Sequence, residues 1–279
     1  MSVAVVFDSA GTLLATYRVV KDVRSGTLLP GAETTLLTFQ SPERVLVVLH
    51  VHSRDVIEAP PGMFLSDLLV SREVGFGISC TRKILTADDI AEVLYHDRTA
   101  RIGDLQDCIR DVWARCRSEP ILAMNSGVIL NMAGRSVEFT LTTGGWPFPG
   151  AKETINALHR MGVATYVASG DRTAKLERIA DYIGIPRDRV YGVATPTLKA
   201  RIIADLKEAY GTVVMVGDGI NDLAAMKAAD IAVLTEQQEG ERPKELIEAA
   251  DHVIRNVCEV VTIVKERTGP VSQSGSDKR

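Results

Sequence analysis

An aspartate follows directly on an apolar segment near the start of the chain. Val3–Phe7 contains five apolar residues in a row, which is typical of a strand buried on both faces of a parallel sheet. Asp8 comes next, and Gly11 in the following loop allows close approach of a ligand. Ligands of open α/β sheets bind beyond the carboxyl ends of the strands. A carboxylate there can accept a phosphoryl group or bind a metal ion, although it can also serve only as a helix cap.

A second apolar segment, residues 163–168, ends in a small polar motif. Ser169, Gly170 and Asp171 follow it and precede a helical pattern. A hydroxyl and free N–H groups at the start of a helix can bind an anion. The same residues also form ordinary helix caps, so this motif alone indicates either role.

A third apolar segment, residues 212–216, ends in a more specific motif. It is followed by Gly217-Asp218-Gly219-Ile220-Asn221-Asp222. Asp218 and Asp222 lie four residues apart across a tight turn, so both can face the same edge of a sheet. Such oxygens suit Mg²⁺, which takes one or two protein carboxylates and keeps several waters. The alternative is an Asx turn with a helix cap.

Lys199 lies in the first turn of a predicted helix between these motifs. A cation there opposes the helix dipole, so its position is unfavourable unless it serves another purpose. A lysine directed at a bound phosphate is such a purpose, and a surface lysine is the alternative. Together the four motifs provide a nucleophile, an anion cradle, a cation and a magnesium site, which is the set that phosphoryl transfer requires.

The elements that must position these side chains alternate between helix and strand after residue 150. Periodicity and capping signals predict helices over residues 151–161, 172–183, 197–210, 221–229, 243–249 and 259–266. Apolar runs predict strands over residues 163–168, 190–193, 212–216, 231–234 and 252–254. This alternation is typical of a parallel sheet with right-handed crossovers. We therefore expect an α/β domain of residues 1–14 and 144–267, with residues 15–143 inserted after its first strand.

The insert has the mixed pattern of an α+β domain. Turn signals separate predicted strands over residues 16–23, 34–40, 44–52, 121–124, 128–132 and 136–142. Residues 75–79 fit a strand or a loop, and residues 59–62 fit a loop. Helices are predicted after Thr86 and over residues 103–117.

Composition excludes several classes of protein. The chain has 279 residues, 46% hydrophobic content and a net charge of −4, which indicates a globular protein and argues against a nucleic-acid partner. Its four cysteines form no C-x2-C pair, so we expect neither a zinc site nor a disulfide framework, and reduced thiols fit the cytoplasm. We expect no signal peptide and no membrane span. Residues 268–279 are predicted to be disordered.

The four motifs resemble those of the haloacid dehalogenase (HAD) superfamily, and especially the phosphorylation domain of P-type ATPases. The sequence D-S-A-G-T at residues 8–12 resembles the first motif, and S-G-D at residues 169–171 resembles the second, with Ser where pumps usually carry Thr. Lys199 matches the third motif, and residues 217–222 match the fourth. The resemblance covers about half of the chain. The insert lies where pumps place a nucleotide-binding domain and phosphatases place a cap, but it carries no recognisable nucleotide-binding signature.

This resemblance implies a Rossmannoid, doubly wound parallel sheet and a Mg²⁺-dependent phosphohydrolase or phosphoryl-transfer protein. The substrate would be a small phosphorylated molecule or a nucleotide, and a protein partner would bind through the insert. Asp8 would be the nucleophile that forms an aspartyl-phosphate, with Lys199 and Ser169 as further catalytic residues. The implied phosphate-binding residues are Ser9, Gly11, Thr12, Ser169, Gly170, Lys199 and Asn221. The implied metal-binding residues are Asp8, Ala10 (through its carbonyl), Asp218 and Asp222.

Ala10 is the departure from the pattern of HAD phosphatases, which carry a second Asp two residues after the nucleophile. That Asp protonates the leaving group and then activates water, and alanine can do neither. A positioned acid or base typically contributes roughly 10²–10⁴-fold to a rate. Pumps carry Thr at this place and have a long-lived phosphoenzyme. Ala10 therefore predicts slow hydrolysis, or none.

Two other functions stay open. Phosphonoacetaldehyde hydrolases, also HAD members, carry Asp-x-Ala-Gly-Thr in their first motif and use a cap lysine to form a Schiff base. Lys21 and Lys83 are the only lysines of the insert that could do this. The other alternative is a non-enzymatic regulatory or assembly subunit that keeps the fold, which Ala10 favours and the complete set of remaining motifs disfavours.

Overall fold

The computed structural model describes residues 2–116 and 120–268. The chain divides into two compact units. The first unit combines the residues up to 15 with those from 147 onward, and the second consists of residues 16–146. The second unit is thus an insertion in the sequence of the first. The predicted disordered tail falls, beyond residue 268, outside the described residues.

Strands and helices are numbered here in chain order over the described ranges. The strands are β1 (Val3–Phe7), β2 (Leu14–Asp22), β3 (Leu28–Pro30), β4 (Arg44–Leu49), β5 (Phe76–Thr81), β6 (Ala123–Asn131), β7 (Ser136–Pro147), β8 (Ala164–Ala168), β9 (Val190–Tyr191), β10 (Thr212–Gly217), β11 (Ile231–Thr235) and β12 (His252–Ile254). The helices are α1 (Thr34–Phe39), α2 (Ser53–Glu58), α3 (Leu65–Ser71), α4 (Ala87–His96), α5 (Ile102–Arg115), α6 (Ala151–Arg160), α7 (Thr173–Ile183), α8 (Pro196–Ala209), α9 (Leu223–Ala228), α10 (Lys244–Glu248) and α11 (Glu259–Thr268).

The first unit is built on a parallel sheet with the strand order β12-β11-β10-β1-β8-β9. Every residue of β1 is buried because a central strand of a parallel sheet is covered on both faces. In the register of the sheet, Phe7 at the end of β1 lies between Val216 of β10 and Val167 of β8. The carboxyl ends of these three strands therefore form one edge. This arrangement confirms the predicted α/β fold with a parallel sheet.

Helix α8 begins at a well-defined cap. The Thr195 hydroxyl accepts the N–H of Leu198 at 3.3 Å, and Pro196 occupies the first helical position, where its missing N–H costs nothing. The buried side of α8 contributes Ile202 and Ile203 to an apolar core that also contains residues of β1 and β10. These two constraints fix the first turn of α8, which carries Lys199.

The second unit contains an antiparallel sheet with the strand order β3-β2-β7-β6-β4-β5. One face of this sheet packs against helices α4 and α5, and the core between them is apolar. Helix α4 starts with a capping box in which Thr86 and Asp89 satisfy each other's backbone N–H groups. The unit is therefore of the α+β class.

The prediction of a strand over residues 34–40 is wrong, since this segment forms helix α1. The Thr38 hydroxyl donates to the carbonyl of Thr34 at 2.7 Å, one helical turn earlier. Leu37 packs against the apolar core while Leu36 is largely exposed. Threonine favours strands in general, but here the local hydrogen bond and the burial of one side favour the helix.

Other boundaries in the second unit also differ from the prediction. Residues 121–124 and 128–132 were expected to be separate strands, whereas residues 123–131 form the single strand β6. Helices α2 and α3 were not predicted, because each has only six or seven residues and shows too short a helical period. The expected boundary at residue 144 lies inside β7, so residues 144–146 belong to the antiparallel sheet.

The helices of the described residues are short. The longest, α5 and α8, contain 14 residues each. A membrane-spanning helix needs about 20 mostly apolar residues. Within residues 2–116 and 120–268, no helix is long and apolar enough to cross a membrane.

Gly127 provides a test of the antiparallel sheet. A Cβ at this position of β6 would lie 2.5 Å from the carbonyl oxygen of Val47 on the adjacent strand. We therefore expect Gly127→Ala to destabilise the protein by about 1–3 kcal/mol, as overpacking of cores does. Thermal denaturation should show a lower melting temperature. Gly62→Ala is the matched control because nothing lies within 4 Å of its added Cβ. Equal melting temperatures for the two variants would contradict this register.

Candidate active site

Asp8 is the first residue beyond β1 and is almost completely buried. Its N–H donates to the carbonyl of Val216 at 2.9 Å, so the main chain at Asp8 continues the hydrogen bonding of the sheet. A nucleophile must be held in a fixed place, and a residue one position from a buried central strand meets that requirement. The carboxylate of Asp8 therefore has a well-defined position at the edge of the sheet.

Lys199 connects Asp8 to the motif after β10. Its Nζ lies 2.5 Å from Oδ1 of Asp8 and 2.6 Å from Oδ1 of Asp222. The lysine side chain is only 1% exposed. It points into the protein from the first turn of α8, which excludes the surface position considered as the alternative. Burial of this charge is tolerated because two carboxylates receive its hydrogen bonds.

Asp222 organises the turn that follows β10. Its Oδ2 accepts the N–H groups of Asp218 and Gly219 at 3.2 Å each, while its Oδ1 accepts from Lys199. Gly217 allows this arrangement, because a Cβ there would lie 2.6 Å from Cβ and Cγ of Asp222. Both carboxylate oxygens of Asp222 are thus hydrogen-bonded within the protein, and these bonds hold Lys199 and the main chain of the turn in place.

Asp218 lies on the other side of the turn and packs against Gly11. A Cβ at Gly11 would lie 2.0 Å from Oδ2 of Asp218, and Gly11 has a φ of +78°, so both the space and the conformation require glycine. The N–H of Gly11 donates to the carbonyl of Leu14 at 2.8 Å. Gly11 therefore contributes close packing at the site, and its N–H is not free to bind phosphate.

The electrostatics of the cluster follow from burial and proximity. Burial raises the pKa of Asp8, the charge of Asp222 raises it further, and Lys199 opposes the rise. Burial and Asp222 raise the pKa of Asp218 to about 6, while Arg242 opposes the rise. Burial alone would lower the pKa of Lys199, but the charges of Asp8 and Asp222 raise it overall. The cluster therefore favours an additional cation.

Ser169 and Gly170 lie beyond the end of β8, the strand adjacent to β1. The Ser169 hydroxyl accepts the N–H of Asp171 at 3.4 Å, and the main chain of Ser169 is fixed by hydrogen bonds with Tyr191 and Ala194. Within the described residues, the Gly170 N–H donates to no protein acceptor. These groups can therefore receive an anion.

The remaining predicted phosphate-binding residues differ in exposure. The hydroxyls of Ser9 and Thr12 are fully buried and have no hydrogen-bond partner in the described part of the chain. The main-chain N–H of Ser9 also has no acceptor there, so it remains available to a ligand. Asn221 is exposed, on the short turn Ile220–Asp222.

The donor set fits a divalent cation. One carboxylate oxygen from each of Asp8, Asp218 and Asp222 lies within 4.8 Å of the others. The carbonyl of Ala10, which the sequence analysis expected to be a metal ligand, accepts no hydrogen bond among the described residues. Carboxylate and carbonyl oxygens without nitrogen or sulfur suit Mg²⁺. Both carboxylate oxygens of Asp222 already accept hydrogen bonds, whereas Asp8 accepts from Lys199 through Oδ1.

Arg242 is a charged residue of the site that the sequence analysis missed. It belongs to the irregular segment between β11 and α10, and its Nη2 lies 3.5 Å from Oδ2 of Asp218. The segment shows neither a helical nor a strand-like period, and no spacing rule connects it to Asp218. The sequence therefore contained no signal for this contact.

Comparison with known proteins identifies the family. A family model described as haloacid dehalogenase-like hydrolase matches residues 3–230. The chain belongs to this family. The predicted superfamily and the prediction of a hydrolase are thereby confirmed, and all four motifs lie within the matched residues.

This hydrolase also has relatives of known description. A protein of Methanocaldococcus jannaschii described as a soluble P-type ATPase-like phosphatase is 34% identical over 267 residues, which cover 95% of this chain and 94% of the relative. A zinc-transporting ATPase of Bacillus subtilis is 41% identical over 85 residues, which cover 30% of this chain and 13% of the transporter. A crystal structure of a zinc-transporting PIB-type ATPase aligns with 94% of this chain and 40% of its own chain, with 17% identity and a TM-score of 0.44.

Removal of Lys199 tests the charge cluster. Lys199→Met leaves the buried carboxylates of Asp8 and Asp222 next to each other without a cation, so we expect a destabilisation of roughly 3–5 kcal/mol. Thermal denaturation at neutral pH without divalent metal should show this loss. Lys244→Met is the control, because Lys244 is 87% exposed and pairs with Glu248 on the surface. A melting temperature for Lys199→Met as high as that of the control would contradict the buried ion pair.

Proposed function

We propose that this hydrolase is a Mg²⁺-dependent phosphatase that forms an aspartyl-phosphate on Asp8. The observation that carries the proposal is the buried Lys199, held between Asp8 and Asp222 at the edge of the parallel sheet. A purely structural role would not require a buried lysine and three converging carboxylates. The phosphatase description of the Methanocaldococcus jannaschii relative, which matches over almost its full length, supports the same conclusion.

The first step is an in-line displacement at phosphorus. An oxygen of the Asp8 carboxylate forms a bond to the phosphorus atom, and the bond from phosphorus to the leaving oxygen breaks, with its electron pair remaining on that oxygen. The leaving group takes a proton from solvent. Water then forms a bond to the phosphorus atom and gives up a proton to solvent. The bond from phosphorus to the Asp8 oxygen breaks with its electron pair on that oxygen, which releases inorganic phosphate and regenerates the carboxylate.

Three groups bind the phosphoryl oxygens in this proposal. Lys199 supplies a fixed positive charge, and the Ser169 hydroxyl and Gly170 N–H supply hydrogen-bond donors. Such preorganised donors stabilise the charge that develops in the transition state, and in a water-poor site they contribute more than they would in solvent. Asp222 acts through Lys199 and through the turn after β10, so it is a positioning residue.

Asp8, Asp218 and the carbonyl of Ala10 would hold Mg²⁺. When bound, the ion would neutralise phosphoryl charge and orient the phosphoryl group. The substrate would be a small phosphorylated molecule or a nucleotide. The four cysteines lie within the described residues and form no disulfide there, and the location proposed for the protein is the cytoplasm, which keeps thiols reduced.

The two alternatives are weaker. A Schiff base requires an uncharged lysine, yet Lys21 lies 2.9 Å from Asp104 and 2.6 Å from Asp107. Burial would lower the pKa of Lys21, but its hydrogen bonds to these carboxylates raise it overall. Lys83 pairs with Glu43. Membership of a hydrolase family and the buried charge cluster together disfavour a non-enzymatic subunit.

Substitution of the nucleophile tests the proposed function. Asp8→Asn keeps the shape of the side chain and removes the nucleophilic carboxylate. We expect the magnesium-dependent turnover of para-nitrophenyl phosphate to fall by at least roughly 10³-fold, which corresponds to loss of the covalent route. Asp181→Asn, an exposed aspartate on α7 that pairs with Arg187, is the control. Equal turnover by wild type and Asp8→Asn would contradict the role of Asp8.

Ala10 predicts that breakdown of the phosphoenzyme limits turnover. Ala10→Asp introduces a carboxylate two residues after the nucleophile, where it can act as an acid and a base. We expect steady-state turnover of the aryl phosphate to rise by roughly 10-fold or more, within the range of general acid–base catalysis. The fraction of acid-stable phosphoenzyme should fall at the same time. Ala10→Asn controls for size and polarity, and a rise of similar size in that variant would show that proton transfer is not the reason.

A further inference from the structure

Arg242 is a partly buried cation that the proposed reaction does not yet use. Its side chain is 10% exposed. Its Nη2 donates to the carbonyl of Gln238 at 2.8 Å and lies 3.5 Å from Oδ2 of Asp218. The distance to Asp218 is longer than that of a hydrogen bond of good geometry. Asp218 therefore balances the charge of Arg242 but does not supply a strong hydrogen bond to its N–H groups.

The Nε of Arg242 has no acceptor. The atom is buried, and within residues 2–116 and 120–268 it donates a hydrogen bond to no acceptor. A guanidinium offers five N–H donors in a planar fork, and buried donors are normally hydrogen-bonded. An unpaired Nε beside a cluster of carboxylates therefore indicates an acceptor that comes from outside the chain.

The surrounding segment holds Arg242 in place. Gln237 donates from its Nε2 to the carbonyl of Thr12 at 3.1 Å and accepts the N–H of Val257 at 2.8 Å. A Cβ at Gly240 would lie 3.1 Å from Nη1 of Arg242, at a φ of +149° that favours glycine. The guanidinium is therefore held by a hydrogen bond to the main chain of its own segment. Gln237 in turn connects that segment to the loop that follows Asp8.

Arg242 and Lys199 contact different aspartates of the acidic cluster. Lys199 contacts Asp8 and Asp222, whereas Arg242 faces the oxygen of Asp218 that packs against Gly11. Arg242 thus stands beside the loop in which Ala10 replaces an acidic residue. A cation on that side can stabilise negative charge on an oxygen that receives no proton from the enzyme.

We infer that Arg242 is a phosphate-binding residue, whose guanidinium donates to an oxygen of the substrate's phosphate on the side of Gly11. This inference rests on the proposed function. A guanidinium suits the role because its planar fork binds phosphate through charge-assisted hydrogen bonds. A cation bound by Asp218 would occupy the carboxylate that now balances Arg242, and an anionic oxygen would then balance the arginine.

The test measures binding of inorganic phosphate and of Mg²⁺ separately by isothermal titration calorimetry. For Arg242→Ala we expect phosphate affinity in the presence of Mg²⁺ to fall about 10–100-fold, the range of one charge-assisted hydrogen bond. Affinity for Mg²⁺ alone should stay equal or increase, because a competing cation is removed from Asp218. Arg242→Lys keeps the charge without the planar fork and should give an intermediate phosphate affinity.

Arg255→Ala is the control, because Arg255 is 89% exposed and pairs with Glu236. Circular dichroism would show that each variant is folded. Wild-type phosphate affinity in a folded Arg242→Ala variant, with tighter Mg²⁺ binding, would overturn the inference and leave Arg242 as a counter-ion of Asp218. If the wild type itself binds no phosphate with Mg²⁺, both this inference and the proposed function are contradicted.

Discussion

The ammonium group of Lys199 is withdrawn from water and lies between two carboxylates that are withdrawn as well. Its position requires three separate pieces of the chain, since Asp8 follows β1, Asp222 belongs to the turn after β10, and Lys199 lies in the first turn of α8. Taking such charges out of water is costly, and only good hydrogen-bond geometry offsets the cost. The parallel sheet provides that geometry because β1 and β10 are neighbours. The charge cluster therefore depends on the order of the strands in the sheet.

Glycine gives this cluster its compactness. Gly11 and Gly217 each lie where a methyl group would overlap a carboxylate of Asp218 or Asp222. The two aspartates consequently lie close to the main chain of neighbouring loops and have little freedom to turn away. A site assembled in this way is rigid before any ligand binds, so less ordering entropy is lost on binding. The same residues on a flexible loop would not hold their carboxylate groups in such well-defined positions.

Much of the fold and of the site could be predicted from the sequence. The apolar runs around Asp8 and before Asp218 were long enough to identify the strands, and the alternation with helices identified a parallel sheet. The helix α1 could not be predicted, because its Thr38–Thr34 hydrogen bond competes with the strand preference of threonine. Arg242 could not be predicted either. Its contact with Asp218 arises from the path of an irregular segment, and local sequence spacing contains no information about that path.

The position of β1 has a consequence for how the chain folds during synthesis. Val3 pairs with Thr212, and Ala4 pairs with Ala164, so both neighbours of this strand are made long after it. Residues 16–146 have a core of their own, and they are synthesised after β1 but before its neighbours β8 and β10. During synthesis the apolar strand β1 therefore stays unpaired while the insert folds. Unpaired apolar strands are prone to aggregate or to bind chaperones. Asp8 therefore reaches its final surroundings only after most of the protein has been synthesised.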